Sequence, residues 1–445
     1  MAKKQKKELP PEERLAAARV PEEEWPYELP EDWAWVYIKA GFEVTSSKRV
    51  HKEDWLSDGI PFYRTRELVK LSDDGYVENE LFISEQLYNE FKESYGVPQE
   101  GDILISGVGT IGVPYIVDSS QKFYFKDGNV IWFKNLGLFL PKYIFYLYKS
   151  QFMYNQLHAM SSGTTVDTYT IVNAKKTKVP LPPLEIQQQI VTNIERLFAK
   201  LDQAEEKALQ TLATAETRKA AILHQAFTGK LTEKWRAENS VSMEEWETVK
   251  LKDVCEKITD GTHHSPQSFD AGEYMYVTAK NIKEYGIDLN NITYVSKDVH
   301  DEIYSRCDVR YGDVLYIKDG ATTGIATVNT IEEQFSLLSS VAVLRPVAER
   351  LDARYLTYNL NSAETKAMMI NNMSGNAITR LTLKKIKDAE IMICSLHEQQ
   401  EIVHILDELL AKEQQITALA EAVLDEIEAT KKSILAKAFR GEWHK

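Results

Sequence analysis

LPPLEIQQQIV, from Leu181 to Val191, returns near the end of the chain as SLHEQQEIV, from Ser395 to Val403. Leu184 and Leu396 are 212 residues apart, and one ungapped register at that offset aligns Gln187 and Gln188 with Gln399 and Gln400, and Ile190 and Val191 with Ile402 and Val403. The register still holds where RKAAILHQAFTG ends at Gly229 and TKKSILAKAFRG ends at Gly441. Looser matches precede each phrase: GIPFYRTRELV from Gly59 with GEYMYVTAKNI from Gly272, GDILISGVGTIG from Gly101 with GDVLYIKDGATTG from Gly312, and SSGTTVDTYTI from Ser161 with MSGNAITRLTL from Met373. The chain is two copies of one plan, a globular unit followed by a helical one, and a period this long means duplicated domains rather than a solenoid.

Pro180, Pro182 and Pro183 mark the start of the first helical unit, because proline is tolerated in a helix only at its first turn. Ile190, Ile194, Leu197, Leu201, Ala204, Ala208, Thr211 and Ala215 then alternate steps of four and three, a heptad seam. The second copy predicts a seam at Ile402, Leu406, Leu409, Glu413, Ile416, Ala420, Val423, Ile427 and Ile434. Gly229 and Gly441 stand where left-handed cap residues are expected. About forty helical residues make a rod of roughly 60 Å. A compact domain with a radius of gyration of roughly 15 Å does not easily bridge that length, so the end of helix one and the start of helix two must lie together. The predicted fold is α+β: two similar α/β domains held apart by two long antiparallel coiled-coil helices, with internal two-fold pseudo-symmetry. The expected layout is a tail over 1–30, a globular domain over 31–183, a helix over 184–230, a linker over 231–243, a second globular domain over 244–395 and a second helix over 396–441.

Length and composition agree with this plan. The 445 residues, 43% hydrophobic and 27% charged, suit two to four globular domains. The start has a basic run without an apolar stretch after it, so no secretory signal is read there. The most apolar segment, Val130 to Tyr148, is interrupted by Lys134 and Lys142, which argues against a membrane span. Cys255, Cys307 and Cys394 form no CxxC pair, which fits a reducing cytoplasm. A formal charge of −14 does not by itself point to nucleic acid, although local basic patches are compatible with an acidic total.

This order of units, with a GD-hydrophobic-L strand and an SG segment in each globular copy, resembles the DNA specificity subunit of Type I restriction-modification enzymes. The resemblance spans about residues 25 to 441. It implies that each globular unit is a target recognition domain reading half of a bipartite site in double-stranded DNA. It implies that the helices act as a spacer and dock two methyltransferase subunits, and that a motor-nuclease subunit joins through the methyltransferase. It also implies a cytoplasmic, non-catalytic subunit without a cofactor. ITDGTHHSP, from Ile258 to Pro266, is typical of the family, whereas VTSSKRVHKED from Val44 is divergent.

Competing motifs are weak. GVGTIG, Gly107 to Gly112, has the spacing of a dinucleotide fingerprint, but VPYIVD after it reads as a strand rather than a helix, so a strand-to-strand turn is expected. LPPL and LPPE lack the polar start and aromatic end of an adenine methyltransferase [DN]PP[YF] stretch. Adjacent His263 and His264 cannot share one face and have no second ligand pair nearby, so no metal is expected. The alternatives to a DNA-reading subunit are a fused enzyme, which lacks its motifs, and a coiled-coil adaptor, which the negative charge favours.

Candidate readers are cationic and amide residues in the matching loops: Lys48, Arg49, Arg64, Arg66, Thr164 and Thr165 in the first copy, and Thr262, His263, Lys280, Asn281, Lys318, Asn376 and Arg380 in the second. Arg and Lys pair with guanine and Asn with adenine in the major groove. Arg64 and Arg66, alternating with Tyr63 and Thr65, are expected on one strand face. Lys175, Lys176, Lys384, Lys385 and Lys387 are expected at phosphates. The second helix is expected to show an acidic face with Glu408, Glu413, Glu421, Asp425, Glu426 and Glu428, suited to a protein partner.

Overall fold

The computed structural model describes residues 10–118, 121–161, 167–371 and 381–444. They form two compact units, Met1–Lys207 with Ala422–Lys445, and Ala208–Glu421.

Each unit has the same sheet plan. In the first, a four-stranded antiparallel sheet runs in the order Phe42–Thr45, Val130–Asn135, Ile103–Ser106, Pro114–Ile116. A second sheet places Ile60–Tyr63 between antiparallel Phe82–Ile83 and parallel Tyr124–Phe125. The pair Ala34–Tyr37 and Lys178–Leu181 ties the two ends of the domain together. The second unit repeats this order with Cys255–Asp260, Val341–Pro346, Val314–Ile317 and Ala326–Val328. Thr293–Val295, Tyr274–Val277 and Ser336–Leu337 make its second sheet, and Glu247–Lys250 pairs with Glu390–Ile393. ILIS and VLYI are buried on both faces, so these central strands read as apolar runs without alternation. GVGTIG and its counterpart join antiparallel strands, the turn expected from the sequence. The copies differ where the first has the helix Thr65–Asp74 and the second has the hairpin of Ile282–Lys283 and Gly286–Ile287.

The long helices belong to both cores. Ile190, Val191 and Ile194, from the start of the first, share the core of unit one with Leu435, Ala438 and Phe439, from the end of the second. In unit two Leu223 and Ala226, from the end of the first, share a core with Ile402, Val403 and Leu406, from the start of the second. Start meets end within each unit, so the helices run antiparallel. Pro182 and Pro183 do precede the first helix at Leu184, while Pro180 lies in the strand Lys178–Leu181.

The repeated glutamine explains why the phrase occurs twice. Gln187 is fully buried; its carbonyl accepts from the Leu140 amide at 2.9 Å and its amide donates to the Leu138 and Pro182 carbonyls at 3.2 and 3.0 Å. Gln399 does the same with the Asp352 amide at 2.9 Å and the Arg350 and Cys394 carbonyls at 2.9 and 2.8 Å. Each clasp spends both amide donors and one carbonyl acceptor site of a buried side chain on fixing a loop to a helix start, and leaving such a group unpaired is costly.

Two helical expectations need correction. The first long helix is not continuous: Leu184–Ala213 and Ala215–Phe227 meet at Thr214, which has φ −98° and ψ −2°. The Thr214 hydroxyl donates back to the Gln210 carbonyl at 2.8 Å, a contact that bends helices. Arg218 donates to the Thr211 carbonyl at 3.0 Å and to Glu413 at 2.8 Å. This pairing accounts for a glutamate in the seam. The second helix, Leu396–Phe439, has Val423 and Glu426 at the positions of Thr211 and Thr214 and runs unbroken. Its seam follows the expectation except at two positions. Ile416 and Val423 are exposed by 41% and 38%, and Thr417 and Leu424 are half-buried in their place. Both helices end as predicted, at left-handed Gly229 and Gly441 with φ of 74° and 72°. Among the described residues no helix is long and apolar enough to cross a membrane.

Candidate nucleic-acid interface

In unit one the strand Phe42–Thr45 leads into a segment pinned to both sheets. Ser46 donates to the Val130 carbonyl at 3.0 Å, Ser47 to the Phe125 carbonyl at 2.7 Å, and the Lys48 amide to the Tyr124 hydroxyl at 2.9 Å. The backbone is therefore fixed while the side chains of Lys48 and Arg49 stay exposed, with the Lys48 ammonium 5.3 Å from the Tyr95 ring centroid.

Arg64 and Arg66 are not on a strand face. The strand ends at Tyr63, and Arg64 is the residue before the helix Thr65–Asp74. Glu67 sits three residues on, where its carboxylate accepts from the Arg64 amide at 3.0 Å and closes the helix start. Glu67 is 1% exposed and pairs with Arg64 at 2.6 Å and Arg66 at 3.1 Å; Glu80 reaches Arg66 at 2.6 Å. Burial raises the Glu67 carboxyl pKa, but the Arg64 hydrogen bonds and charge outweigh it and hold it below its ordinary value. We therefore expect Arg64→Ala to act on folding, costing about 1–3 kcal/mol by leaving a buried carboxylate short of donors. Lys48→Ala and Arg49→Ala are expected to leave the melting temperature unchanged. Each is expected to reduce the salt slope of DNA binding by about one phosphate contact. Thermal unfolding beside binding titrations at several salt concentrations separates the two outcomes; a stable, binding-deficient Arg64→Ala would return that arginine to the interface.

In unit two the loop after Cys255–Asp260 is built around a buried carboxylate. Asp260, 3% exposed, pairs with Arg306 at 3.0 Å, Lys318 at 3.4 Å and His263 at 3.5 Å. Arg306 also donates to the Gly261 carbonyl at 2.6 Å. A side chain at Gly261 would put its Cβ 2.0 Å from the Leu337 carbonyl oxygen, so only glycine fits there. Thr262 is locked by amide bonds of 2.8 Å to and from Leu337 and Ser339, and its hydroxyl donates to the His264 carbonyl at 3.2 Å. His263 and His264 are presented on this fixed turn, both exposed. Lys280 is exposed as well.

Two second-copy candidates are part of the scaffold. Asn281 is buried, accepting from the Thr278 amide at 3.0 Å and donating to the Asp288 carbonyl at 3.1 Å, which leaves it little for a base. Lys318 is 6% exposed and neutralises Asp260 and Asp319. Thr164, Thr165, Asn376 and Arg380 lie outside the described residues. Lys175 and Lys176 close the helix Ile171–Lys175, and Lys384, Lys385 and Lys387 lie on its counterpart Leu383–Asp388. Sequence reasoning missed Asp260 and Arg306, the anchors of the turn. The DG step of ITDGTHHSP was the available signal for Asp260, whereas nothing near Arg306 marks it.

Comparison with known proteins places the chain as a whole. The family model for the Type I restriction modification DNA specificity domain matches residues 30–213 and 243–428, one match per copy. The chain is similar to the specificity subunit of the Type I restriction enzyme EcoBI from Escherichia coli, 26% identical over 428 residues, covering 91% of this chain and 84% of that protein. It also resembles a putative Type I specificity subunit, S.HindORF215P, from Haemophilus influenzae, 37% identical over 155 residues, 34% of this chain and 37% of that one. In fold it is similar to the crystal structure of the HsdS subunit from Thermoanaerobacter tengcongensis. There the TM-score is 0.63 at 20% identity, covering 94% of this chain and 98% of that one. A chain from a structural study of Type I R-M system assembly gives a TM-score of 0.69 at 22% identity, covering 94% and 100%. With both repeats matched by the family model, the chain belongs to the DNA specificity subunits of Type I restriction-modification systems.

Proposed function

We propose that this chain dictates where its complex acts: each globular unit reads one half of a bipartite duplex DNA target, and the long helices carry two methyltransferase subunits. Methylation chemistry resides in those partners, and a motor-nuclease subunit joins through them. The observation that carries this reading is one strand order built twice around loops of different sequence, Ser46–Val50 in one unit and Gly261–Pro266 in the other. Two copies of a scaffold with unlike loops suit two unlike half-sites on DNA. The second helix supports the docking part. Glu408, Glu421, Asp425, Glu426 and Glu428 are exposed carboxylates, poor for phosphate contact and suited to a protein; Glu413, expected both in the seam and among them, lies in the seam with Arg218.

Exchanging residues 31–183 for the same unit of a relative tests the proposal. The expected result is a methylated motif changed in one half and unchanged in the other, read by mapping methylated adenines in cells that carry the methyltransferase. A swap that alters both halves would mean that the units read DNA jointly.

A further inference from the structure

The internal repeat supplies a template for a ligand, because one niche is filled in unit one and open in unit two. In unit one Tyr27 fills it. Its hydroxyl donates to the Phe439 carbonyl at 3.0 Å, and its ring meets Trp35 at 4.9 Å and Phe152 at 5.4 Å, both edge-on. The Arg440 guanidinium lies 5.6 Å from its centroid. Three residues earlier, Glu24 pairs with Lys178 at 3.0 Å. The phenol is held well above its ordinary pKa by burial, as expected of an anchored side chain.

At the same offset of 212 residues, Phe227 stands for Phe439, Thr228 for Arg440, Glu364 for Phe152 and Glu390 for Lys178. The strand registers agree, since Trp35 faces Pro180 in one unit and Thr248 faces Met392 in the other. Here no described side chain takes the place of Tyr27. A cavity of about 330 Å³ remains, lined by Phe227, Thr228, Glu364, Met368, Glu390 and Met392 among others. No described residue donates to the Phe227 carbonyl. Aligning EDWAWV with EEWETV puts Ser240 opposite Tyr27, so the second copy has no aromatic residue to offer.

We infer that this cavity docks a segment of a partner protein that carries an aromatic residue three positions after a lysine or arginine. The aromatic ring takes the place of Tyr27, between Phe227 and Met392. The basic residue takes the place of Glu24, with its charge reversed to match, because Glu390 replaces Lys178. Charge reversal of this kind also selects against wrong partners. A second copy of this chain is a poor occupant, since its Glu24 would approach Glu390. The chain's own basic run, Lys3 to Lys7, contains no aromatic residue. The inference does not rest on DNA reading and stands or falls separately from it.

The full chain, labelled with ¹³C at its methionine methyls, is titrated with a nine-residue peptide of the sequence of Glu22–Pro30 bearing Glu22→Lys, Glu23→Lys and Glu24→Lys. Saturable shifts of the Met368 and Met392 methyls are expected. They are expected to vanish when the peptide also carries Tyr27→Ala, and to be several times weaker with the unaltered acidic peptide. Glu390→Lys in the protein is expected to reverse the preference between basic and acidic peptides. Its exposure keeps the fold out of question. Absence of shifts at both methyls at millimolar peptide would overturn the inference. So would shifts that survive Tyr27→Ala or ignore the sign of residue 390.

Discussion

Glu398→Ala is expected to destabilise unit two by about 3–5 kcal/mol, the cost of stripping one partner from a buried ion pair. Glu398 is fully buried at the start of the second long helix. One oxygen accepts from Arg236 and from the Thr232 hydroxyl, both at 2.6 Å, and the other accepts from the Trp246 indole at 3.0 Å. Arg236 has a side chain only 10% exposed and also donates to the Gly229 carbonyl at 2.5 Å. Removing the carboxylate strands a guanidinium, a hydroxyl and an indole together. At the matching position the first copy has Ile186, which packs on an apolar core. The paired change Glu398→Ile with Arg236→Met therefore recovers much of the loss, because a buried ion pair can be replaced by apolar groups far more cheaply than it can be broken. Urea unfolding followed by tryptophan emission reads both variants. A single variant as stable as the parent chain would mean that the pair does not hold the linker.

What was legible in the sequence follows from how far each signal travels along the chain. The repeat, the proline stop before Leu184 and the two glycine caps are local and appear as expected. The repeated glutamine was visible as a repeat, but its clasp on Leu138 and Leu140 joins residues about fifty apart and leaves no local trace. Arg236 and Glu398 are 162 residues apart and pair only once the helix start is folded against the linker. The seam of the second helix was missed at two positions because Ile416 and Val423 fit the heptad as well as Thr417 and Leu424 do. Hydrophobicity alone chose the wrong pair.

The candidate reading loops were less legible still. Alternation around Arg64 looked like a strand, yet Glu67 provides a helix start, and that local hydrogen bond prevailed. Lys318 and Asn281 are polar residues in matching loops, as readers would be, and burial against Asp260 and Thr278 makes them scaffold instead. Charge type in a loop marks a candidate; partner carboxylates decide whether it is available.

The spacer role that the family resemblance implies for the long helices predicts a change in target length. Four residues inserted after Thr211 and four after Val423, equivalent positions in the two copies, are expected to lengthen the preferred gap between half-sites by about two base pairs. Each helix grows by about 6 Å at 1.5 Å per residue, and duplex DNA rises about 3.4 Å per base pair. A four-residue insertion is a stutter, which a coiled coil absorbs by local unwinding. The first insertion falls beside the break at Thr214, where the helix already departs from regular geometry and Arg218 holds the Thr211 carbonyl. The strain is therefore expected to concentrate there rather than in the unbroken second helix. Four residues overshoot a full turn by roughly 40° at 3.6 residues per turn, so a moderate loss of affinity accompanies the shift. The half-sites themselves stay the same, because neither insertion touches Ser46–Val50 or Gly261–Pro266. Mapping methylated adenines before and after the insertion gives both quantities at once, the motif halves and the gap between them. An active variant that keeps the original gap would show that something other than helix length sets the distance.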